Sequence, residues 1–319
     1  MRHAATVLAV VSAISMHAHA QQFPSKPIRI VAGAAPGGGV DTTSRIIAQN
    51  LQEHLGQPGV VENRAGAGGS LAGEVAARAA ADGHTLATIS ISYALLPTTH
   101  KNLSWSPQND LTTVTVMVNA PNVLVSHPSL PVKSIKELIA YARTRPGQID
   151  YASSGTSSPS HLATEYLGLL AKVKFTHVPY KGTGPGITDL MAGRVSLMFA
   201  SIISTRQHVE AGKLRVLATA GAKRAAAAPE VPTIAEAGVP GYAVDVWYAM
   251  FAPSATPRPV LERLNGAVSK ILHSPDVAKK LGTIGLEPVG RGLAESDAYI
   301  KSEIKKWAAV AKAANITPN

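Results

Sequence analysis

Two short stretches of the chain combine residue types that suit anion binding. The first is Pro36-Gly37-Gly38-Gly39-Val40-Asp41. Its glycines let the backbone approach a ligand closely. The helix expected beyond them offers free N–H groups and a positive dipole end, which suit a carboxylate or phosphate. The competing reading is a tight turn with no ligand. No G-K-[ST] follows, so this is not a Walker loop, and the G-x-G-x-x-G spacing of a dinucleotide site is missing. The second stretch is Ser154-Gly155-Thr156-Ser157-Ser158, with His161 one turn further on. It is rich in hydroxyls and also precedes a helix start. Its competing reading is capping by Ser158 with the other hydroxyls in water. Two such loops, one in each half of the chain, say more than either alone. A small molecule with an acidic group at each end would bridge them.

Other chemistry finds less support. There are no cysteines, which excludes disulfide scaffolds, zinc–thiolate sites, iron–sulfur clusters and cysteine nucleophiles. The G-x-S-x-G pentapeptide of many hydrolases does not occur. A dyad of Ser157 or Ser160 with His161 would need an accident of rotamer. The histidines lack metal spacing: His161 and His177 are far apart in sequence, and no H-E-x-x-H exists. No metal and no cofactor are therefore expected. Gly66-Ala67-Gly68-Gly69-Ser70 reads as a close helix–sheet contact rather than a phosphate cradle. Tyr180 and Lys181 reach the cleft or, for Lys181, stand as a solvated charge. Trp247, beside Asp245, lines a cleft or packs an interdomain core.

These residues are positioned by alternating strand-like and helix-like segments, which point to α/β layers with largely parallel sheets. Ile28–Val31 reads as a strand, and Asp41 as the N-cap of a helix whose Ile47, Leu51 and Leu55 form one stripe, stopped by Gly56. Strands are expected at Val60-Val61, 85–90, 113–118 and 122–126. Ser134 and Glu137 form a capping box. The design then repeats, with a strand at 149–152, Ser158 as N-cap, Pro159 at the first helical position, and a buried face of Leu162, Tyr166, Leu169 and Leu170. Strands at 174–178, 195–200 and 214–219 follow, with a helix over 186–192. A long strand over 242–251 is expected to cross between two domains. Two helices close the chain, carrying Leu264, Val268 and Ile271, then Ile300, Ile304, Trp307 and Val310.

The 319 residues suffice for two domains. Hydrophobic residues reach 45%, enough for a substantial core, so disorder is excluded for the chain as a whole. The net charge of +10 is spread along the sequence and reads as a solvated surface with a mild bias towards anions. The start of the chain, Arg2-His3, an apolar run to Met16, then Ala18-His19-Ala20, has the layout of a secretory signal cleaved after Ala20. Export makes nucleic acid a poor partner. The 5% aromatic content agrees, because stacking platforms need aromatics.

Ordered motifs along the chain resemble the periplasmic substrate-binding receptors of tripartite tricarboxylate transporters, the Bug receptors. They are Phe23–Val31, the Pro36–Asp41 loop, Val61–Gly69, Asp82–Leu86, Tyr151–Leu162, His177–Gly182, Val231–Gly238 and Trp247. The resemblance implies a type II periplasmic binding fold of two lobes closing on a small carboxylate. With the signal peptide over 1–20 set aside, the expected division is a first lobe over 21–120 and 246–319 and a second lobe over 121–245. Hinges are expected near Val118–Val123 and Ala243–Val246. The matching ligand positions are Pro36, Gly37, Gly38 and Gly39 in the first lobe, and Ser154, Gly155, Thr156, Ser157 and Ser158 in the second, with His161 in support. Ser92 and Ala94 come from a further loop, Lys181 is a neighbouring candidate, and Asp189 would meet an amino group. Where the family often has a bulky Phe or Tyr before the Ala-Pro-Gly-Gly element, this chain has Ala34, and Gly33 replaces a common Pro. Two small residues there would widen the pocket floor for a bulkier or aromatic carboxylate. The implied protein is a monomer that offers its closed form to a membrane permease and catalyses nothing. The rivals are an exported serine hydrolase using Ser157 or Ser158 with His161, and a ligand sensor docking on a membrane kinase.

Overall fold

The computed structural model describes residues 23–156 and 158–315. The expected signal peptide and Ser157 lie outside the described residues. In chain order the elements are β1 (Ile28–Ala32), α1 (Gly39–Leu55), β2 (Gly59–Asn63), a 3-10 turn (Ala67–Gly69), α2 (Ser70–Ala77), β3 (Thr85–Ser90), α3 (Ser92–Thr99), β4 (Leu111–Asn119), β5 (Asn122–Ser126) and α4 (Ile135–Arg143). They continue with β6 (Asp150–Ser153), α5 (Pro159–Ala171), β7 (Thr176–Pro179), α6 (Thr183–Met191), β8 (Leu197–Ser201), α7 (Ile202–Glu210), β9 (Arg215–Thr219), β10 (Trp247–Pro253), α8 (Arg258–His273), α9 (Pro275–Thr283), β11 (Glu287–Pro288) and α10 (Leu293–Ala313).

Local chemistry explains most of these boundaries. Gly56 ends α1 in the left-handed region at φ 80°, and its N–H donates to the Gln52 carbonyl. The Ser134 hydroxyl accepts from the Glu137 N–H, while the Glu137 carboxylate reaches back to the Lys133 N–H. The α5 stripe differs from its expected form. Leu162 and Leu167 are buried, but Leu169 and Leu170 face solvent, one position out of phase with the helix repeat. The expected strand over 242–251 starts only at Trp247. Residues 242–246 belong to no strand.

The strands form two sheets, ordered β11-β4-β10-β3-β1-β2 and β7-β6-β8-β5-β9. Four strands run in one direction in each sheet, β1, β2, β3 and β4 in the first and β6, β7, β8 and β9 in the second, but a reversed strand interrupts each. β10 runs antiparallel to β3 and β4, and β5 runs antiparallel to β8 and β9. The reason is topological: each of these strands enters its sheet from the other one, at the opposite end to a βα crossover.

That reversal sets where the loops point. β1 and β3 end at Ala32 and Ser90 on one edge of the first sheet, where β10 begins and β4 ends (Tyr248 opposite Ser90, Trp247 opposite Asn119). β6, β7 and β8 likewise end together, where β5 begins (Asn122 opposite Ser201). Only Ala120 and Pro121 join β4 to β5, a reach of roughly 10 Å at most. The loop-bearing edges of both sheets therefore face the same crossing. Each anion-type loop leaves a strand two places from it, roughly 10 Å away at the usual strand spacing. The crossing segments bond to each other, Ala120 N–H to Val246 O at 2.6 Å and Val244 N–H to Ala220 O at 2.8 Å.

Three apolar clusters surround this frame. One packs α1, α8 and α9 on the first sheet, with Ile47, Leu51, Leu264 and Val268 buried. Another packs α6 and α7 on the second sheet, through Ile187, Leu190 and Ile202. The third runs continuously beneath both sheets, from Tyr93 and Trp307 to Tyr242 and Leu162. At about 1.5–3 kcal/mol per buried large side chain, these clusters fix the strand edges that carry the loops.

Candidate functional site

In the first loop the three glycines have separate reasons. Gly37 stands at φ 81°, a left-handed turn. Gly38 is the N-cap of α1, with no side chain to close it. Gly39 leaves room for an aromatic ring: a Cβ there would fall on the Tyr248 hydroxyl and within 2.8 and 2.9 Å of Tyr248 Cε2 and Cζ. Asp41 is not the N-cap. It sits in the first turn, where its carboxylate accepts from the Gly37 N–H (2.8 Å), Asn63 Nδ2 (2.8 Å) and Arg45 Nε (3.0 Å). Burial pushes this carboxyl up, but Arg45, the Gly37 amide and Asn63 outweigh it and hold it below its ordinary value. Asn63 also donates to Ala34 O at 3.1 Å, so the loop is braced at both ends.

This bracing changes which amides face a ligand. The Gly37 N–H is taken by Asp41, and the Gly38 N–H points to Ala35 O. The first intrahelical bond runs from the Thr42 N–H to Gly38 O. The donors that a helix start leaves open are thus the N–H groups of Gly39, Val40 and Asp41. Pro36 and Gly37 are exposed and Ala34 is half-buried at the loop's start. Gly33 does not widen a pocket floor. A Cβ there would lie 3.0 Å from Gly69 Cα and 3.3 Å from Thr88 O, so its small size serves backbone packing. Gly69, at φ 89°, presses on Ile89, which makes the Gly66–Gly69 stretch the close contact expected of it.

Ser92 opens α3 on the same edge. It is half-buried, with its hydroxyl 2.7 Å from that of Ser90. Ala94 does not join it. It is fully buried and its N–H bonds to Ile91 O, because 92–99 forms a helix that turns Tyr93–Leu96 into the core.

The second loop is held by its own hydroxyls. Ser158 caps α5, accepting from the His161 N–H at 3.3 Å, with Pro159 next. Ser160 accepts from the Ser154 N–H at 3.0 Å. The Ser153 hydroxyl lies 3.0 Å from Gly155 O and 2.6 Å from His177 Nε2. Gly155, at φ 137°, is half-buried, and Thr156 and Lys181 are exposed.

His161 and His177, distant in sequence, stack with ring centroids 3.8 Å apart and 7° between planes, against Tyr151. Face-to-face rings do not converge on a metal, and no metal-type cluster occurs among the described residues. Burial, then the charge of His177, lowers the His161 pKa to about 4, and burial also lowers that of His177. Both rings are therefore neutral near pH 7. Ser158 accepts from the backbone N–H of His161, and the wholly buried Ser153 hydroxyl lies at the His177 imidazole.

Asp189 is not open to an amino group. Its carboxylate accepts from the Tyr180 hydroxyl and from Arg194, both at 2.8 Å, two turns down α6 from the sheet edge. Those bonds hold it below its ordinary pKa and help push Tyr180, chiefly raised by burial, to about 12. A crevice of about 390 Å³ lies on the far side of the crossing, between Asn119, Thr219, Lys223, Asp245, Glu287 and Arg291. It is lined by residues of the two expected hinge segments, Ala120, Pro121, Val244, Asp245 and Val246 among them, and by none of the expected ligand-binding residues.

A crossing of two mixed α/β sheets, with a helix start and a hydroxyl loop on facing edges, defines a two-lobed binding protein. Residues 43–316 match the family described as the tripartite tricarboxylate transporter family receptor, and the chain belongs to that family. Its members are periplasmic receptors. The chain is similar to BugT of Bordetella pertussis, at 33% identity over 96% of this chain and 94% of BugT. It is also similar to a UPF0065 protein from the tcbD–tcbE intergenic region of Pseudomonas sp. strain P51, at 37% identity over 95% and 91%. Among solved structures, R. palustris Rpa4515 with adipate superposes at a TM-score of 0.78 with 37% identity, covering 93% of this chain and all of that one. MatC from Rhodopseudomonas palustris with bound malate superposes at 0.71 with 34% identity, covering 90% and 99%. The type II periplasmic binding fold follows.

Proposed function

We propose that this receptor captures a small carboxylate between the α1 start and the Ser154–Ser158 loop, without turnover, and presents the closed form to a membrane permease as a monomer. The observation that carries this reading is the orientation of both loops towards one crossing. Neutral donors hold a carboxylate without the cost of burying a bare lysine or arginine. Relatives solved with adipate and malate support the ligand class. The first lobe comprises 21–120 and 246–319 and the second 121–245, a division supported by the change of sheet between Asn119 and Asn122 and again before Trp247. Closure draws on contacts from both lobes, which supply differential affinity for the closed form.

The test is a thermal-shift screen of aliphatic and aromatic mono-, di- and tricarboxylates. A true ligand at 100 times its Kd stabilises the fold by about 2.7 kcal/mol. A flat response to every acid would overturn the reading. Ala34 then marks a site for a bulky or aromatic acid. Overfilling it with Ala34→Phe should weaken such an acid by about tenfold or more, as read by calorimetric titration. Unchanged affinity would remove Ala34 from the site.

A further inference from the structure

Tyr248 was not singled out by spacing or motif, yet it occupies the position next to the first-lobe helix start. Strand alternation along β10 turns Trp247, Ala249 and Phe251 to one face and Tyr248, Met250 and Ala252 to the other, beneath α1. Its ring lies so close to Gly39 that only glycine fits there. The hydroxyl thus stands beside the first turn whose Gly39, Val40 and Asp41 amides are open.

Several tyrosine hydroxyls elsewhere in the molecule bond to the protein: Tyr93 donates to Pro107 O, Tyr151 to Glu165, Tyr180 to Asp189 and Tyr242 to Ala163 O. The Tyr248 hydroxyl has no hydrogen-bond partner among the described residues, although its ring is largely covered. Burial raises its pKa, so it remains a proton donor at neutral pH. The hydroxyl is open to solvent rather than sealed, so an anion seated on the helix start would come within its reach.

We infer that the Tyr248 hydroxyl donates to the ligand carboxylate held at the start of α1, making Tyr248 a specificity-determining residue supplied by the crossing strand. The inference rests on the receptor reading above. It extends that reading in two ways. The first-lobe subsite is completed by a side chain and not by amides alone. The contact also comes from the residue after Trp247, where the second crossing segment enters the sheet and faces Ser90 and Val118. Ligand contact and lobe movement therefore meet on one strand.

The experiment is calorimetric titration of wild-type protein and Tyr248→Phe, with a panel of adipate, glutarate, malate and benzoate, alongside the melting temperature of each protein. A hydrogen bond to a charged group is strong enough that its loss should raise Kd at least about tenfold for the acid that binds, with the melting temperature of the free protein unchanged. Equal Kd values for the two proteins would overturn the inference and leave the receptor reading standing. Wild-type protein that binds no acid of the panel would overturn both. A crystal structure of the wild type with the bound acid gives an answer that does not depend on the variant's folding. Tyr248 Oη within hydrogen-bond distance of a carboxylate oxygen supports the role, and a water or protein partner there removes it.

Discussion

Glu303→Ala is expected to cost the fold about 3–5 kcal/mol, the range for breaking a buried ion pair by removing one partner. Glu303, on α10, is 4% exposed. Its Oε2 accepts from Trp247 Nε1 at 3.2 Å and from Trp307 Nε1 at 3.1 Å. Its other oxygen pairs with Lys306, whose Nζ also donates to Ala243 O at 3.2 Å. One carboxylate thus ties the C-terminal helix to the start of β10 and, through Lys306, to the crossing segment before it. Alanine would strand two buried indole N–H groups and leave the ammonium without its counter-charge. Urea unfolding followed by fluorescence reads this directly, because Trp247 and Trp307 are two of the three tryptophans. Glu303→Gln retains an acceptor for the indoles and should lose clearly less. A loss below about 1 kcal/mol in the alanine variant would mean the cluster is a by-product of packing and not an anchor.

The parts of this fold that could be read from the sequence are those decided locally. Gly56 stops α1 because only glycine takes φ 80° at no cost. Ser158 and Pro159 start α5 because a hydroxyl cap and a fixed φ suit a first turn. What escaped depends on distant partners. The reversed strands β5 and β10 look like any other strand in sequence, and their direction follows from which sheet they leave. The run Ser92–Thr99 contains Pro97 and hardly any amphipathic pattern, since burial on nearly all sides removes the periodic signal.

The candidate site divides in the same way. The glycine and hydroxyl loops announce themselves by composition beside helix starts. Which amides they offer does not, because that depends on Asp41 reaching back to Gly37 and on Asn63, contributed by the neighbouring strand. Gly33 and Gly39 look alike in sequence and differ in cause: one yields to the Gly69 backbone, the other to the Tyr248 ring. A signal for Tyr248 does exist, in its alternation with Trp247 on a strand that begins at the crossing. It becomes visible only once the strand's start is known.

The second large effect is a loss of stability on mild acidification. A buried imidazole kept neutral resists protonation, whereas the unfolded chain takes its proton near pH 6.5. The folded-state pKa of His161 lies at about 4, so between these values the unfolded state binds more protons and acid favours it. The contribution is complete above about pH 6.5 and is lost as pH falls towards 4. A displacement of that size corresponds to about 3 kcal/mol over the whole window. His177 acts in the same direction, and a charge on either ring opposes one on the other at 3.8 Å. Carboxylates held low, such as Asp41, begin to contribute only further down, near their ordinary range, while burial raises Asp245 and works in the opposite direction, so the comparison of the two proteins, not the window alone, singles out His161. His161→Phe keeps a flat ring against His177 and removes one titration. Chemical denaturation at pH 7, 6 and 5 should show wild-type stability falling faster than that of the variant. The same steps should loosen the second loop, because the hydroxyl at His177 Nε2 is also the one 3.0 Å from Gly155 O. Parallel pH profiles for the two proteins would mean that His161 takes up its proton in the folded state as easily as in the unfolded one, and that the stacked pair does not govern acid sensitivity.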